Sequence, residues 1–533
     1  MKLDAIPGMN RAVLHLIMAT APPDPTATAQ VLGFKAYNLA RMAAIGLNVP
    51  PAFVLGTGFC ARPETVTPDL WRCALVELER ATGMGLGDPR RPLLLSVRSG
   101  APVSMPGMME TLLNIGLTDE TLPGMVRQTG HPRLAWDAYR RLVSGFGEVV
   151  AGIDSAAFEA DLDAVRAGES ERQLDFAALR DLTMRHLETY RQHAGEPFPQ
   201  DAHAQLQAAI AAVFHSWSSD KARSYRALRN LSDEMGTAVT VQRMVFGNGG
   251  GLSGAGVGFT RNPINGVPAP WVDFLFNAQG EDVVSGRRSA EGHEALAAIA
   301  PTVWADLVLA TQDLERHFGD MQDFEFTVQD GALFMLQTRD GKRTPQATAR
   351  IALDMADEGL IPIATAKLRT AGLTAEDLTT TGLASEDGAS LVPVARAATA
   401  ASGVVSGEIA FDEARVRACK AAGTSVILVR RDAETRDISA LDLADGLLTQ
   451  HGARTSHAAV VARQLGKVCL VGCEALQIDE TRRRMDLAGN PFEEGDVITL
   501  DGNSGLIYPG AVRVVDLEPE ALLARLKLLN GTD

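Results

Sequence analysis

The chain has 533 residues, five cysteines and a formal net charge of −16. Its length predicts several domains, about three or four at roughly 150 residues each. The acidic balance argues against a nucleic-acid-binding surface, which needs clustered lysine and arginine, and the few scattered cysteines predict reduced thiols rather than disulfides or a zinc site.

No export or membrane segment is predicted. The apolar run at residues 12–18 is too short and too weakly flanked for a signal peptide. No run approaches the ~18 consecutive apolar residues of a membrane span. We therefore expect a cytoplasmic protein without a membrane partner.

The first 230 residues mix two kinds of pattern. Residues 1–115 combine short strands with helices, and residues 118–230 have the apolar spacing of helices. Lys35 follows Gly33 at the start of a predicted helix, and Arg98 ends a predicted buried strand. Each cation is either solvated or available to bind an anion.

Strand patterns dominate residues 236–340. A dense glycine stretch at 247–258 follows the first strand. It is predicted to be a loop, either one whose N–H groups approach phosphates or a plain hairpin loop.

Two later strands flank the sequence QDGA at residues 329–332, which predicts a hairpin. Asp323 and Glu325 lie two residues apart, hence on one face of the first strand. Gln337 and Arg339 lie on the second strand. Carboxylates facing an arginine form either a structural salt bridge or a platform for Mg²⁺ and a triphosphate.

The last third of the chain contains a second α/β pattern. Residues 342–395 read as a helical connector, 396–512 as an α/β unit of short strands, and 516–533 as a helix-prone tail.

A histidine opens the most informative helix of the chain. Residues 455–467 read TSHAAVVARQLGK after a strand and a turn at Gly452. Thr455 or Ser456 is predicted to cap this helix with a side-chain oxygen. His457 then lies among the unpaired N–H groups at the positive end of the helix dipole, where phosphate binds favourably. It is a candidate nucleophile that carries a phosphoryl group, and a capping or surface histidine is the alternative.

Two basic side chains precede this helix. Arg454 lies about one turn before His457, and His451 is a second imidazole nearby. Both are candidates to help hold a phosphate or to shift the pKa of His457.

Further stretches carry family-specific patterns. They read GFKAYNLARM at 33–42, SVRSGA at 96–101, SMPGMMET at 104–111, FTRNP at 259–263, NAQGEDVV at 277–284, MQD at 321–323 and LQTRDGKR at 336–343. With the histidine segment, they resemble the pyruvate, phosphate dikinase family from about residue 30 to about residue 512. The MPGMM and QTRxGKR patterns resemble the phosphate dikinase rather than the related water dikinase. Ala453 stands where the family motif has a glycine.

The resemblance implies an α/β (α+β) multidomain fold. An ATP-grasp nucleotide-binding domain is expected at residues 1–341, with a helical insertion at about 118–230. A helical linker follows at 342–395, then a swivelling β/β/α phosphohistidine domain at 396–512 and a tail at 513–533.

The resemblance also implies a reaction and its residues. ATP would give its β-phosphoryl group to His457 and its γ-phosphoryl group to inorganic phosphate, with Mg²⁺ and with release of AMP and pyrophosphate. The implied catalytic residues are His457, Arg339, Arg98 and Thr455. The implied nucleotide-binding residues are Lys35, Arg98, Gln242, Glu281, Asp323, Gln337 and Arg339. The implied Mg²⁺ ligands are Glu325, Gln337 and Asp323. Thr455 matches a position that family regulators phosphorylate, and a plain helix cap is the alternative.

The resemblance also implies a following barrel that binds pyruvate and phosphoenolpyruvate, and we expect none within these 533 residues. We therefore expect the ATP and phosphate half-reaction here. The acceptor would be supplied by a separate pyruvate-binding chain or would be another small molecule. The competing hypothesis is a regulatory or vestigial module that binds ATP without turning it over.

Overall fold

The computed structural model describes residues 14–18, 27–103, 105, 108–166, 168, 171–284, 291–384, 392–433, 437–454 and 456–531. The chain divides into two compact units, residues 1–249 with 334–337 and residues 250–333 with 338–533. Several sheets and many helices in these units confirm the mixed α/β, multidomain class. The domain boundaries predicted at residues 341, 395 and 512 stay predictions.

The first unit is built on a five-stranded antiparallel sheet with the order β1-β2-β5-β3-β4. Its strands are β1 (Leu14–Ile17), β2 (Ala52–Leu55), β3 (Leu95–Gly100), β4 (Thr111–Ile115) and β5 (Ala238–Arg243). Its helices are α1 (Ala29–Ala44), α2 (Pro68–Thr82), α3 (Leu122–Thr129), α4 (Pro132–Val149), α5 (Ser155–Arg166), α6 (Phe176–Ala194), α7 (Ala202–Ser216) and α8 (Asp220–Leu228). Helices α3 to α8 confirm that residues 118–230 are mostly helical.

One large apolar core holds this unit together. Trp71 of α2 and Tyr139 and Phe146 of α4 are fully buried in the same apolar cluster as Val97 of β3. Burial of such large side chains contributes about 1.5–3 kcal/mol each before entropy is subtracted. The sheet is thereby a rigid support for Arg98, which lies one residue beyond Val97.

Another sheet, in the order β10-β9-β6-β7-β8, belongs to the second unit except for residues 334–337 of β10, which are grouped with the first unit. Its strands are β6 (Gly254–Phe259), β7 (Trp271–Phe276), β8 (Glu291–Gly292), β9 (Gln322–Gln329) and β10 (Ala332–Asp340). The helices α9 (Gly280–Val284), α10 (His293–Ile299) and α11 (Pro301–Phe318) accompany it.

The glycine stretch is only partly the loop that the sequence predicts. Gly254, Gly256 and Gly258 lie inside strand β6. A Cβ atom on any of them would overlap an aromatic ring, that of Phe274, Phe326 or Phe324, respectively. The prediction of a loop is therefore wrong for residues 254–258, where glycine is needed because the rings pack directly on the strand.

The hairpin of β9 and β10 confirms the turn prediction. Asp330 and Gly331 join the two strands with φ angles of 52° and 79°. Positive φ at both central residues is the geometry that Asp-Gly favours in two-residue hairpin loops.

The connector and tail form one small assembly. After α12 (Pro345–Asp357), α13 (Ile363–Thr370) and α14 (Ala375–Leu378), the chain forms β11 (Thr380–Leu383), which pairs antiparallel with β23 (Val514–Leu517). The connector is thus not purely helical, because a strand from the end of the chain pairs with it. The predicted helix in the tail is confirmed as α18 (Glu520–Asn530), which packs on α12.

An eight-stranded sheet carries the histidine helix, in the order β12-β22-β21-β14-β15-β16-β17-β13. Its strands are β12 (Ala395–Arg396), β13 (Ala398–Ala401), β14 (Val404–Ala410), β15 (Val426–Arg430), β16 (Gly446–Thr449), β17 (Val468–Val471), β21 (Val497–Asp501) and β22 (Leu506–Pro509). The helices are α15 (Glu413–Ala421), α16 (Ile438–Leu443) and α17 (His457–Gln464), and a three-stranded sheet adds β18 (Leu476–Asp479), β19 (Arg484–Leu487) and β20 (Asn490–Glu493). Strands β14 to β17 are parallel. In the part of the chain that is described, every helix is too short or too polar to cross a bilayer.

Candidate functional site

The structure places His457 at the first position of helix α17. The loop after β16 takes a φ of 128° at Gly452, and Ser456 then caps the helix by accepting a hydrogen bond from the Ala459 N–H at 3.4 Å. This confirms Ser456 as one of the two predicted caps. Thr455 and the side chain of His457 lie outside the described residues. The first-turn N–H groups of α17 therefore surround the position from which His457 emerges.

Each of the two basic residues before the helix lies beside a carboxylate, and Arg454 is hydrogen-bonded to its own. Arg454 Nε donates to Asp273 Oδ1 at 2.9 Å, and its Nη2 donates to the Val272 carbonyl at 2.9 Å. His451 Nδ1 lies 3.2 Å from Asp432 Oδ1. In this structure Arg454 therefore binds strand β7, whereas the sequence offered it as a phosphate ligand.

The predicted carboxylate–arginine pair forms on the β9–β10 hairpin. Arg339 Nε donates to Asp323 Oδ2 at 2.8 Å, and the Asp323 side chain is only 12% exposed. Burial raises the pKa of Asp323, and the positive charge of Arg339 opposes that rise. Glu325 and Gln337 are half-buried, and each lies two residues from a member of the pair along its own strand. The hairpin thus presents an ion pair with a buried carboxylate, and Glu325 on the same strand offers further carboxylate oxygens.

Two rows of residues cross this sheet. Trp271, Phe259 and Asp323 are register partners on β7, β6 and β9, and so are Asp273, Val257 and Glu325. Directly paired residues point to the same face of a sheet. The Arg454 partner Asp273 therefore shares a face with Asp323 and Glu325, about 10 Å away at ~4.8 Å per strand. The loop before His457 is anchored on the face that carries the predicted Mg²⁺ ligands.

Sequence reasoning missed Arg463, near the end of α17. This residue is 3% exposed, and its guanidinium donates to the Ala400 carbonyl. The guanidinium also lies over the rings of Phe259 and Trp271, at 5.5 and 5.2 Å from their centroids. Burial lowers the pKa of Arg463 to about 10, so it stays charged near neutral pH. Its position in an apolar-periodic helix gave no signal of this contact.

In the first unit, a close approach of two glycines fixes the lysine segment. Gly33 interrupts α1 with φ 73° and ψ 157°, and a Cβ there would overlap the Gly100 carbonyl oxygen. The Phe34 N–H donates to the Ala101 carbonyl at 2.9 Å. The helix resumes after this kink, which confirms that Lys35 stands at a helix start. Lys35 is exposed.

The remaining predicted site residues, two in the first unit and one in the second, differ in exposure. Arg98 is half-buried on β3, and within the described ranges it forms no ion pair. Gln242 is 3% exposed, and its amide donates to the Pro50 carbonyl at 3.0 Å. The role of Arg98 as a phosphate ligand stays a prediction, while the amide nitrogen of Gln242 is already used in the fold. Glu281 belongs to α9, and its side chain lies outside the described residues.

The kink at Gly33 leads to a first prediction. Gly33→Ala should lower the free energy of unfolding of the first unit by about 2–5 kcal/mol. Alanine would have to adopt a backbone conformation that only glycine adopts readily, and its methyl group would also overlap the Gly100 carbonyl oxygen. Gly46→Ala is the matched control, since Gly46 also has a positive φ (86°) but no atom lies within 4 Å of the position that a methyl group would take there. It should cost about 1–2 kcal/mol. Equal losses in urea unfolding would contradict the importance of the Gly33–Gly100 approach.

Two family models match this chain. One, described as the AMP/ATP-binding domain of pyruvate phosphate dikinase, matches residues 63–295 and 297–360. The second, described as the mobile domain of PEP-utilising enzymes, matches residues 423–505. His457 and Arg454 lie in the second match and the β6–β9 strands in the first, whereas Lys35 lies before both.

Curated relatives match almost the whole chain. Pyruvate, phosphate dikinase 2 of Zea mays is 41% identical over 491 residues, which cover 90% of this chain and 56% of that protein. The chloroplastic pyruvate, phosphate dikinase 1 of Oryza sativa subsp. japonica is 40% identical over 516 residues, covering 95% and 54%. That of Arabidopsis thaliana is 40% identical over 523 residues, covering 94% and 54%. The chain spans about half the length of the curated relatives it matches.

Proposed function

The chain belongs to the pyruvate, phosphate dikinase family, and from that premise we propose that it is an ATP-dependent phosphotransferase. It passes the β-phosphoryl group of ATP to His457 and the γ-phosphoryl group to inorganic phosphate. The observation that carries this proposal is the anchoring of the His457 loop on the sheet face with Asp323 and Glu325. A phosphoryl acceptor and a candidate phosphate platform thereby belong to one compact unit.

The chemistry requires two displacements. An imidazole nitrogen of His457 forms a bond to the β-phosphorus while the bond from that phosphorus to an oxygen of AMP breaks. An oxygen of inorganic phosphate forms a bond to the γ-phosphorus while the β–γ bridge breaks, which yields pyrophosphate. Both are phosphoryl transfers in which the protein positions the groups and neutralises charge.

The β9–β10 hairpin supplies that neutralisation. Arg339 is held by Asp323 in a defined orientation, so its remaining N–H groups are pre-organised to donate to phosphate oxygens. Asp323 is needed to hold Arg339, and burial of the Asp323 carboxylate strengthens its attraction for that guanidinium. First-turn N–H groups of α17 stabilise the phosphoryl group once it is on His457.

The donor set on this hairpin fits Mg²⁺. Magnesium ions take hard oxygen ligands and are commonly bound by one or two carboxylates together with substrate phosphates. Glu325, Asp323 and Gln337 offer carboxylate and amide oxygens, and among the described residues no cluster of three His, Cys, Asp or Glu side chains forms a complete protein cage. Bound there, Mg²⁺ would neutralise phosphate charge and orient the triphosphate.

The remaining roles rest on the family resemblance. Lys35 and Arg98 bind phosphate oxygens, Gln242 and Glu281 belong to the nucleotide pocket, and Thr455 is a site of regulatory phosphorylation. The same resemblance proposes an ATP-grasp domain for residues 1–341 and a swivelling domain for residues 396–512. The acceptor of the phosphoryl group is pyruvate bound by a separate chain, or another small molecule. A cytoplasmic location is proposed from the sequence alone.

Incorporation of labelled inorganic phosphate into pyrophosphate tests this function. The purified chain, incubated with ATP, Mg²⁺ and labelled phosphate, should form labelled pyrophosphate and an equal amount of AMP. Omission of Mg²⁺ should stop both products. Measurable ATP binding without either product would overturn the proposal and favour the non-catalytic ATP-binding module.

A further inference from the structure

We propose that Arg454 is a positioning residue, which holds the start of helix α17 against the sheet face that carries Asp323 and Glu325. The catalytic part of this inference rests on the proposed function. The contact itself does not, because it is a property of the fold.

Three contacts fix the Arg454 side chain to strand β7. It donates to the Asp273 carboxylate and to the Val272 carbonyl, both at 2.9 Å, and its Cζ lies 4.6 Å from the centroid of the Trp271 ring. One guanidinium thus contacts three consecutive residues of strand β7, Trp271, Val272 and Asp273. Such a combination of charge-assisted hydrogen bonds and ring stacking requires the planar arginine group, and lysine does not reproduce it.

Because the Arg454–Asp273 pair is largely buried, it favours the position in which the loop before His457 lies against strand β7. The side chain of Asp273 is only 2% exposed and that of Arg454 is 21% exposed. A buried carboxylate that loses a cationic partner carries a large desolvation penalty. Departure of the loop from the sheet would therefore weaken the stabilisation of Asp273, and Arg454 biases the loop towards the sheet.

Asp273 lies on the same sheet face as the proposed phosphate site, so its contact with Arg454 brings the loop towards that site. Asp273 is in register with Val257 and Glu325, and Trp271 is in register with Phe259 and Asp323. The anchor and the proposed phosphate site thus lie two strands apart on one face. Only two residues separate Arg454 from His457, so a fixed Arg454 restricts His457 to the neighbourhood of that site.

The far end of helix α17 is held on the same ring. Arg463 lies over Trp271, and its Nη2 donates to the Arg454 carbonyl at 3.1 Å. Phe259, the other ring under the Arg463 guanidinium, is the register partner of Asp323 on β6. Helix α17 is therefore positioned by two guanidinium groups on one tryptophan, and Arg454 is the one next to His457.

Fluorine NMR of fluorotryptophan-labelled protein tests the contact without any reaction. The chain has five tryptophans, and Trp271→Phe assigns the resonance of Trp271. Arg454→Gln should shift that resonance and leave the resonance of Trp71, in the core of the first unit, in place. Arg454→Lys should give an intermediate shift. Arg415→Gln is the matched control, because Arg415 pairs with Glu408 within the β14–α15 segment and should leave Trp271 unchanged.

Single-turnover labelling from ATP labelled at the β-phosphorus tests the positioning. Arg454→Gln should slow labelling of His457 at least about tenfold at saturating ATP, with the ATP affinity unchanged, because only the attacking group is misplaced. Asp273→Asn should slow it as well, and the double variant should be no slower than the slower single variant, since both remove one interaction.

The outcomes separate this inference from the proposed function. An unchanged Trp271 resonance in Arg454→Gln, or an unchanged labelling rate, overturns the positioning role. If the Trp271 resonance shifts in Arg454→Gln but the wild-type chain takes up no label, the proposed function is overturned, and with it the catalytic part of the inference. Additive effects in the double variant would show that Arg454 and Asp273 act separately, which also contradicts it.

Discussion

His457→Asn should abolish phosphoryl labelling of the chain while ATP binding stays within about twofold of wild type. Loss of the nucleophile removes the covalent intermediate altogether, and such losses reach about 10⁴-fold or more when a nucleophile is deleted. Binding should persist, because the residues proposed to contact ATP lie on other elements, among them β3 and the β9–β10 hairpin. Calorimetric titration with a non-hydrolysable ATP analogue measures the ATP affinity of the variant and of wild type.

His451→Asn is the matched control for this experiment. His451 lies six residues before His457 and is paired with Asp432 rather than placed on helix α17. Its replacement should leave the chain able to take up label. If His451→Asn loses label and His457→Asn keeps it, the assignment of the phosphoryl carrier is wrong.

Arg339→Met should have the second large effect, on both stability and transfer. It leaves the buried Asp323 carboxylate without its cation, which costs up to about 3–5 kcal/mol, less to the extent that solvent reaches the partly exposed Arg339 side. Loss of an arginine that stabilises a phosphoryl transition state lowers the rate by about 10³–10⁵-fold. Urea unfolding and single-turnover labelling measure the two effects separately.

The pH dependence of the Arg339→Met variant has a defined sign. The pKa of Asp323 is already raised by burial, and without Arg339 the folded state should favour the protonated carboxyl further. A carboxyl with a raised folded-state pKa stabilises the fold at low pH, and that stability is lost as the pH rises through this pKa. The stability difference from wild type should therefore be smaller at acid pH than at neutral pH.

Arg343→Met separates stability from chemistry. Arg343 forms a two-point ion pair with Asp320, at 2.7 and 3.0 Å, and both side chains are largely buried. Its loss should destabilise the second unit to a similar degree, yet the folded variant should retain transfer. Equal loss of transfer in both variants would show that Arg339 acts only through the fold.

The sequence predicted those features that depend on local pattern. The β9–β10 hairpin followed from alternating apolar residues around Asp330 and Gly331, and the start of α17 followed from Ser456 and the apolar spacing after it. In each case the determining residues are neighbours in the chain. From the sequence, Asp323 and Arg339 could form either a structural salt bridge or a platform for Mg²⁺ and phosphate. The structure shows that the salt bridge forms.

The missed features depend on residues far apart in the chain. Arg454 and Asp273 are 181 residues apart, so no local pattern joins them. Glycine usually signals a turn, but the rings that require glycine in β6 come from β7 and β9. Strand β11 pairs with β23 across most of the second α/β region. Tertiary packing decided each of these, and neither spacing nor propensity contains that information.

The most direct test of phosphoryl transfer to His457 compares two labelled forms of ATP. The purified chain is incubated with Mg²⁺, inorganic phosphate and ATP labelled at either the β- or the γ-phosphorus, then denatured in base and analysed for acid-labile label. Label from the β-position on wild type and none on His457→Asn, with γ-label recovered in pyrophosphate, is the predicted result. Absence of β-label on a chain that binds ATP, or β-label that persists on His457→Asn, would contradict transfer to His457.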